Sequence, residues 1–320
     1  RGRLSYEFLR SPKGGARYAA WFNGKGYLDT MSAEAVTAFI SSTYDRYRQW
    51  CGNEFGRTVP AIFTDEPNYC IGTVVSPERG EWLLPWTKEF GRIFRARYGY
   101  NILDRIADIV EERDGCEAVR YDYYRLATEL FVTNFGKQIH DWCENAGIAL
   151  TGHYLEEDTL RRQVAVIGDA MPFYEWMQWP GVDHLGRNIR NPLTLKQCSS
   201  VAHQMGKERV LSELYGCSGQ NLTRAEMKWI GDWHICLGVN FFCPHLYLYS
   251  LRGCRKKDFP PTISHHQPYW KHARPLEDYF ARVNFLMSQG EPLGDVLVIH
   301  PAETGWCLYP GDRLKSYDED

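Results

Sequence analysis

The sequence is short of the features that mark several protein classes. Its ten cysteines include no CxxC pair and no Cys/His cluster at zinc spacing, which excludes a zinc-finger or ribbon module. No apolar run approaches the roughly 20 residues of a membrane-spanning helix. No leader pattern is visible, although the chain begins at Arg1 rather than Met. Basic residues are not in excess: 37 Lys and Arg stand against 40 Asp and Glu, a net charge of -3. That balance leaves no footprint for nucleic acid and no polybasic patch for a membrane surface. No Gly-rich phosphate loop follows an apolar run, and no internal repeat or low-complexity segment stands out.

What is abundant is aromatic: 14% of residues, with 11 Trp and 20 Tyr. Flat amphipathic rings suit sugars, whose axial C–H groups pack on ring faces while hydroxyls find polar neighbours. Rings also fill large cores, so the count alone does not decide. Cys143, Cys198 and Cys236 fall on apolar faces, where a thiol acts as a small hydrophobe. Free thiols of this kind point to a reducing compartment and so to the cytoplasm, with a secreted or periplasmic location left open by the non-Met start.

Short apolar strands alternate with amphipathic helices. The spacing predicts a helix over 32–50, capped by Ser32, with Val36, Phe39, Ile40, Tyr44 and Tyr47 on one face. Val59–Phe63 reads as a buried strand stopping at Thr64-Asp65-Glu66-Pro67. Helices are expected near 86–98 and 117–145. Ile148–Thr151 is a second strand, running into Gly152-His153-Tyr154-Leu155-Glu156. A third is expected around Val166–Met171, ending near Asp169. Thr194 with Gln197, and Thr223 with Glu226, have the spacing of capping boxes. Arg209–Ser212 is expected as a strand stopping at Glu213, and Val239–Cys243 as a fifth ending at Pro244-His245.

Strands separated by helices imply a parallel sheet with right-handed crossovers. The missing phosphate loop disfavours an open nucleotide-binding sheet. The expected fold is therefore α/β, a (β/α)8 TIM-barrel-like domain. Five strands are too few to close it. A sixth around Arg17–Phe22 would still leave the N-terminal strands absent. The barrel domain is placed at residues 1–274. A helix near 276–288 and a fresh apolar strand at Asp295–Ile299 read as the start of a second α/β domain over 275–320.

Function in such sheets collects at the carboxyl ends of strands. The predicted ends carry Asp65-Glu66, His153 with Glu156, Asp169, Glu213 and His245. Glu66 also reads as a solvated loop acid and His153 as a core histidine. Glu213, directly after a buried strand, needs partners or a task. Two carboxylates at separate strand ends are what cleavage of a glycosidic bond requires. One protonates the leaving oxygen, and the other attacks the anomeric carbon or activates water. Glu66 and Glu213 are the candidate pair, with Asp65, His153, Tyr154, Glu156 and His245 as candidate sugar ligands.

The aromatic-rich stretch Tyr174–His184 reads as a pocket wall, or as a packed structural loop. In the first reading Trp176 or Trp179 is a stacking platform, and Asp183 or His184 reaches sugar hydroxyls. Tyr215, Tyr247 and Tyr249 can line the same pocket or simply pack. A calcium-type oxygen cage from Asp65, Glu156, Asp169, Asp183 and Glu213 is permitted, without a contiguous calcium loop to indicate it. A zinc site on His153 and His245 is disfavoured.

Phe63-Thr64-Asp65-Glu66-Pro67, Thr151-Gly152-His153-Tyr154, Pro180-Gly181-Val182-Asp183-His184, Leu211-Ser212-Glu213 and Gly238–His245 occur in this order. Together, across roughly residues 25–300, they resemble glycoside hydrolase family 106, the α-L-rhamnosidases. The resemblance implies an inverting, calcium-dependent exo-hydrolase on a TIM-barrel domain within a longer multidomain chain. It also implies that Glu66 is the acid, that Glu213 is the base and that carbohydrate is the binding partner. Two rival readings stand beside it. One is a retaining β-galactosidase-like barrel, in which the second acid is a nucleophile. The other is a non-catalytic sugar-binding or scaffold protein on a degenerate barrel, whose open sheet edges would need stabilising.

Overall fold

The structure, a computed structural model, describes residues 26–69, 82–187 and 189–310. The strand expected at Arg17–Phe22 lies outside these residues. Ser32 opens α1 (Ala33–Ser42), its hydroxyl accepting from the Ala35 N–H at 3.3 Å. The single helix expected over 32–50 is interrupted at Thr43, which ends α1 and precedes α2 (Tyr44–Cys51). After β1 (Ala61–Thr64) come α3 (Phe90–Tyr98) and a short α4 (Ala107–Val110). The predicted 117–145 helix is α5 (Cys116–Phe131) and α6 (Gln138–Ala146), joined through a π-helical stretch at Val132–Lys137. Gly147 closes it at φ 70°, a left-handed position that glycine takes without steric penalty. β2 (Ala149–Gly152) follows.

No strand forms at Val166–Met171. Those residues are the end of α7 (Leu160–Val166) and the entry to α8 (Met171–Glu175). The Asp169 carboxylate accepts from the Met171 N–H at 3.0 Å, satisfying the start of a helix rather than ending a strand. The third strand is instead β3 (Gly181–His184), inside the stretch read as a pocket wall. Next come α9 (Leu193–Gln204), β4 (Leu211–Leu214), α10 (Arg224–Cys236) and β5 (Phe241–Pro244). Thr223 and Glu226 make the expected capping box. Thr194 does not cap, because α9 starts one residue earlier and the Asn191 side chain accepts from the Leu193 N–H. The chain continues with α11 (Arg274–Met287) and α12 (Ala302–Leu308).

All strand pairs are parallel. β1 pairs with β2, Ala61 opposite Ala149, and β3, β4 and β5 form a second sheet in chain order. The described residues thus form small parallel sheets with helices around them, not a closed eight-stranded barrel. The two sheets abut: the Trp179 N–H donates to the Leu150 carbonyl at 3.1 Å, and Gly181 lies against the Gly152 carbonyl. One apolar cluster underlies β2, β3, α5, α6 and α9, and includes Phe131, Leu150, Phe173, Val182 and Leu195. Burying side chains of this size contributes about 1.5–3 kcal/mol each.

Trp306 and Tyr309 join the same cluster, and the Trp306 indole N–H donates to the Gly168 carbonyl at 2.8 Å. Asp295–Ile299 forms no strand. Its residues Val296 to Ile299 are 80–85% exposed, and the apolar run has no sheet to join among the described residues. No described helix is long and apolar enough to cross a membrane, and the nine described cysteines are free, Cys236 on the surface rather than on a buried face.

The seam between the two sheets makes a specific demand. A Cβ at residue 181 would sit 2.3 Å from the Gly152 carbonyl oxygen, which is backbone and cannot rotate away. Gly181→Ala should therefore lower stability by about 1–3 kcal/mol, as overpacking does. The loss is measurable as a shift in urea midpoint at constant m-value.

Candidate active site

Strand parity and register build the site. β3 and β4 align Asp183 with Glu213, and β4 and β5 align Glu213 with Cys243, so three side chains fall in one row. Their neighbours point the other way: Val182 is fully buried, and His184 packs on Trp233 and His234 of α10. The ladders run one residue past the strand ends, with the His153 N–H donating to Thr64 and the His245 N–H to Leu214. Asp65, Glu66, His153 and His245 are thereby delivered to the carboxyl ends. Glu66, Glu156 and Tyr215, each just after a strand, take φ values of 48°, 57° and 80°. Left-handed non-glycine residues cost on the order of 1 kcal/mol each and collect where side-chain aim matters.

His153, 1% exposed, is the hub. Its Nε2 lies 3.2 Å from Asp65 and 3.5 Å from Asp183, and its Nδ1 lies 3.8 Å from Glu213. Donor atoms of Asp65, His153 and Glu213 fall within 4.8 Å of one another, as do those of Glu66, His153 and Asp183. His245 stands at the edge, 4.0 Å from Glu213. Burial works against the imidazolium, but the carboxylates of Asp65, Asp183, Glu157 and Glu213 outweigh it and raise His153 to about 9. The ring in turn lowers Asp65. Burial first, then the neighbouring acids, raise Asp183 and Glu66 and push Glu213 up to about 7. The cluster can therefore hold both ionised and protonated carboxyl groups near neutrality.

Of the residues expected from sequence, Asp65, Glu66, His153, Asp183 and Glu213 come together, with His245 beside them. Glu156 sits at the rim in an ion pair with Arg162 at 2.7 Å. The others point elsewhere. Tyr154 is buried in the core with its ring 4.2 Å from Phe173, His184 faces α10, and the Tyr215 hydroxyl donates to the Met227 carbonyl. Trp176 and Trp179 precede β3, so they lie at the amino end of the sheet, opposite the acids. Trp176 packs on His140 and Lys137, and Trp179 on Phe241 and Arg209. Neither can be a stacking platform for a sugar in this cluster. Asp169 ends no strand and pairs loosely with His300, 3.9 Å away.

Three contributors have little sequence signal. Phe63 sets its ring 5.6 Å from His153, and Cys243 occupies the row of Glu213. Glu157 is the third: it hides in a Glu156-Glu157-Asp158 run that reads as a solvated surface. Its carboxylate accepts from the Tyr154 N–H at 3.1 Å, the Tyr174 hydroxyl at 2.8 Å and, more weakly, the Asp183 N–H at 3.4 Å. Its carbonyl accepts from Gln163 and Gln197. Burial raises its carboxyl to about 8.

A raised carboxyl stabilises the fold in its protonated form. That contribution is complete below the ordinary value near 4.5 and is lost as pH climbs through about 8. Glu157→Gln, which mimics the neutral acid, should gain thermal stability relative to the native chain between about pH 5 and pH 9. A difference in Tm that stays constant across that range would show that Glu157 is not buried in this state.

The chain matches the family model described as alpha-L-rhamnosidase over residues 8–306. It is 25% identical over 328 residues to a protein of Formosa agariphila named putative beta-glucuronidase, covering 97% of this chain and 26% of that protein. In fold it is similar to a rhamnosidase from Novosphingobium sp. PP1Y, with a TM-score of 0.62 at 19% identity over 83% of this chain. It spans 26% of that structure as well, so it corresponds to about a quarter of either relative. The family match covers nearly the whole chain, and on that ground the chain belongs to glycoside hydrolase family 106, the α-L-rhamnosidases.

Proposed function

We propose that this chain carries the active site of an exo-acting glycoside hydrolase that releases a terminal neutral sugar, most simply α-L-rhamnose, with inversion. The observation that carries the reading is the convergence of Glu66, from the end of β1, and Glu213, from β4, on one half-buried cluster around His153. In this reading Glu66, whose protonated form is favoured by burial and by the charge of Asp183, delivers a proton to the departing oxygen. Glu213 accepts a proton from the attacking water. Asp65, Asp183 and His245 hold sugar hydroxyls, and the His153 imidazolium compensates part of the negative charge.

The donor set also fits a hard divalent cation. Four carboxylates converge, three of them are raised by burial and neighbouring acids, and neither His153 ring nitrogen has a well-formed hydrogen bond. Asp65 with Glu213, or Glu66 with Asp183, are the carboxylate pairs that would hold calcium, which when bound would supply positive charge that favours ionised carboxylates. The name of the Formosa relative suggests a terminal uronic acid as a second reading. The acid cluster opposes it, because a substrate carboxylate there would join four others around one imidazolium.

Turnover of a panel of aryl glycosides tests the reading, with the anomer of the first product followed by NMR. Release of β-L-rhamnose from an α-L-rhamnoside is expected; retained configuration or no turnover in the panel would sink it. Glu213→Gln should lower kcat by about 100- to 10,000-fold without loss of fold. Chelation should move the acid limb of the pH–rate profile up towards about 7, where Glu213 titrates, and calcium should move it back down. The direction follows from the role: a base must be ionised, and added positive charge lowers its pKa.

A further inference from the structure

The even charge balance of the chain conceals one local excess. Arg252, Arg255, Lys256 and Lys257 crowd into a six-residue span around the 3-10 turn Gly253–Lys257. All four are exposed, and among the described residues none forms an ion pair with a carboxylate. The turn belongs to the loop that leaves β5 at the carboxyl end, the same end as the acids. Backbone bonds tie it there: Cys217 donates to the Phe259 carbonyl at 3.2 Å and Gly219 to the Pro260 carbonyl at 3.1 Å. The Gln220 side chain donates to the Lys256 carbonyl. Cys217 lies close enough to feel the charge of Asp183, Glu213 and Glu66, and the Phe259 carbonyl faces the His245 ring. The basic turn is thus part of the rim of the site. Two exposed rings accompany it, Tyr249 at 95% and Phe259 at 54% exposure. Neither burial nor an ion-pair partner explains this combination.

We infer that this rim is a subsite for the chain that carries the departing sugar, and that the preferred substrate is an anionic polysaccharide bearing sulfate esters or uronate carboxylates. The inference rests on the proposed hydrolase reading and adds the substrate class. Cations at the rim bind the anionic groups of inner residues, the exposed rings offer faces to sugar C–H groups, and the terminal sugar entering among the acids is neutral.

The experiment compares a neutral aryl α-L-rhamnoside with rhamnose-capped oligosaccharides in three forms: neutral, sulfated and uronate-containing. The native protein is set against a triple Arg255→Ser, Lys256→Ser, Lys257→Ser variant. The variant should lose about tenfold in kcat/KM on an anionic oligosaccharide while staying within about twofold on the aryl glycoside. Salt should erode the native advantage on the anionic substrate only. The sulfated and uronate arms show which anion is read. Equal losses on all substrates, or an anionic preference unaffected by salt and by the substitutions, would overturn the inference. Affinity electrophoresis of Glu213→Gln in gels containing a sulfated polysaccharide, a polyuronate or neutral dextran reads the rim without turnover. Salt-sensitive retardation by a polyanion that the triple substitution abolishes supports the rim even if no rhamnoside is cleaved. Absence of retardation refutes it whatever the activity.

Discussion

The site depends on one buried imidazole held among carboxylates. His153 has almost no contact with solvent, and its desolvation alone would favour the neutral ring. Asp65, Asp183, Glu157 and Glu213 reverse that preference, and the positive ring in return lets Asp65, Glu66, Asp183 and Glu213 share one cluster. Neither side is stable without the other: remove the ring and the acids face one another uncompensated; remove the acids and the charge is lost to burial. Because the interaction is mutual, the protonation of any member belongs to the cluster as a whole. In the proposed reading, the acid and base roles are differences in position within this shared field.

The scaffold reaches that arrangement by backbone means. Parallel register puts Asp183, Glu213 and Cys243 level, and the two-residue period sends their neighbours into the helical layer. Gly181 lets β3 approach β2 closely enough to bring His153 beside that row, while Gly152, at φ 122°, leaves room for the Thr64 backbone of β1. Behind it, Glu157 fastens the turn after β2 to β3 and α8 through Tyr154, Asp183 and Tyr174. Left-handed backbone at Glu66 and Glu156 is local strain set against this surrounding order.

The sequence carried a good part of this and withheld the rest for physical reasons. Four of five strands were legible because an apolar run ended at a polar residue, and that boundary also delivered Asp65, Glu66, His153, Glu213 and His245. β3 was obscured because Gly181-Val182-Asp183-His184 alternates within only four residues and is preceded by tryptophans that look like loop decoration. Strand direction, not composition, decides which end of a sheet an aromatic occupies, so Trp176 and Trp179 looked like sugar platforms while packing at the far end. Val166–Met171 is apolar enough for a strand, yet Gly168 and Asp169 make it a helix-to-helix turn. Glu157 was invisible because burial of one acid in a run of three is a tertiary fact. Closure of a barrel was an extrapolation from alternation, and the described residues supply two small sheets.

The two charge zones at the carboxyl ends make sense only together. A cluster of several acids around one imidazolium is hostile to an anionic terminal sugar, and cations placed within it would collapse onto those acids as ion pairs. In the proposed reading, basic groups that serve an anionic chain stand outside the acid cluster, on a segment long enough to hold them apart and bonded firmly enough to keep them near. The loop from β5 meets both conditions, with backbone bonds to the turn after β4 and its cations turned to solvent. At physiological salt, charges are screened over about 8 Å, on the order of one or two sugar residues. In the proposed reading, that length lets acidic and basic fields coexist on one face and gives an anionic polymer a direction of entry: neutral end inward, charged repeat outward.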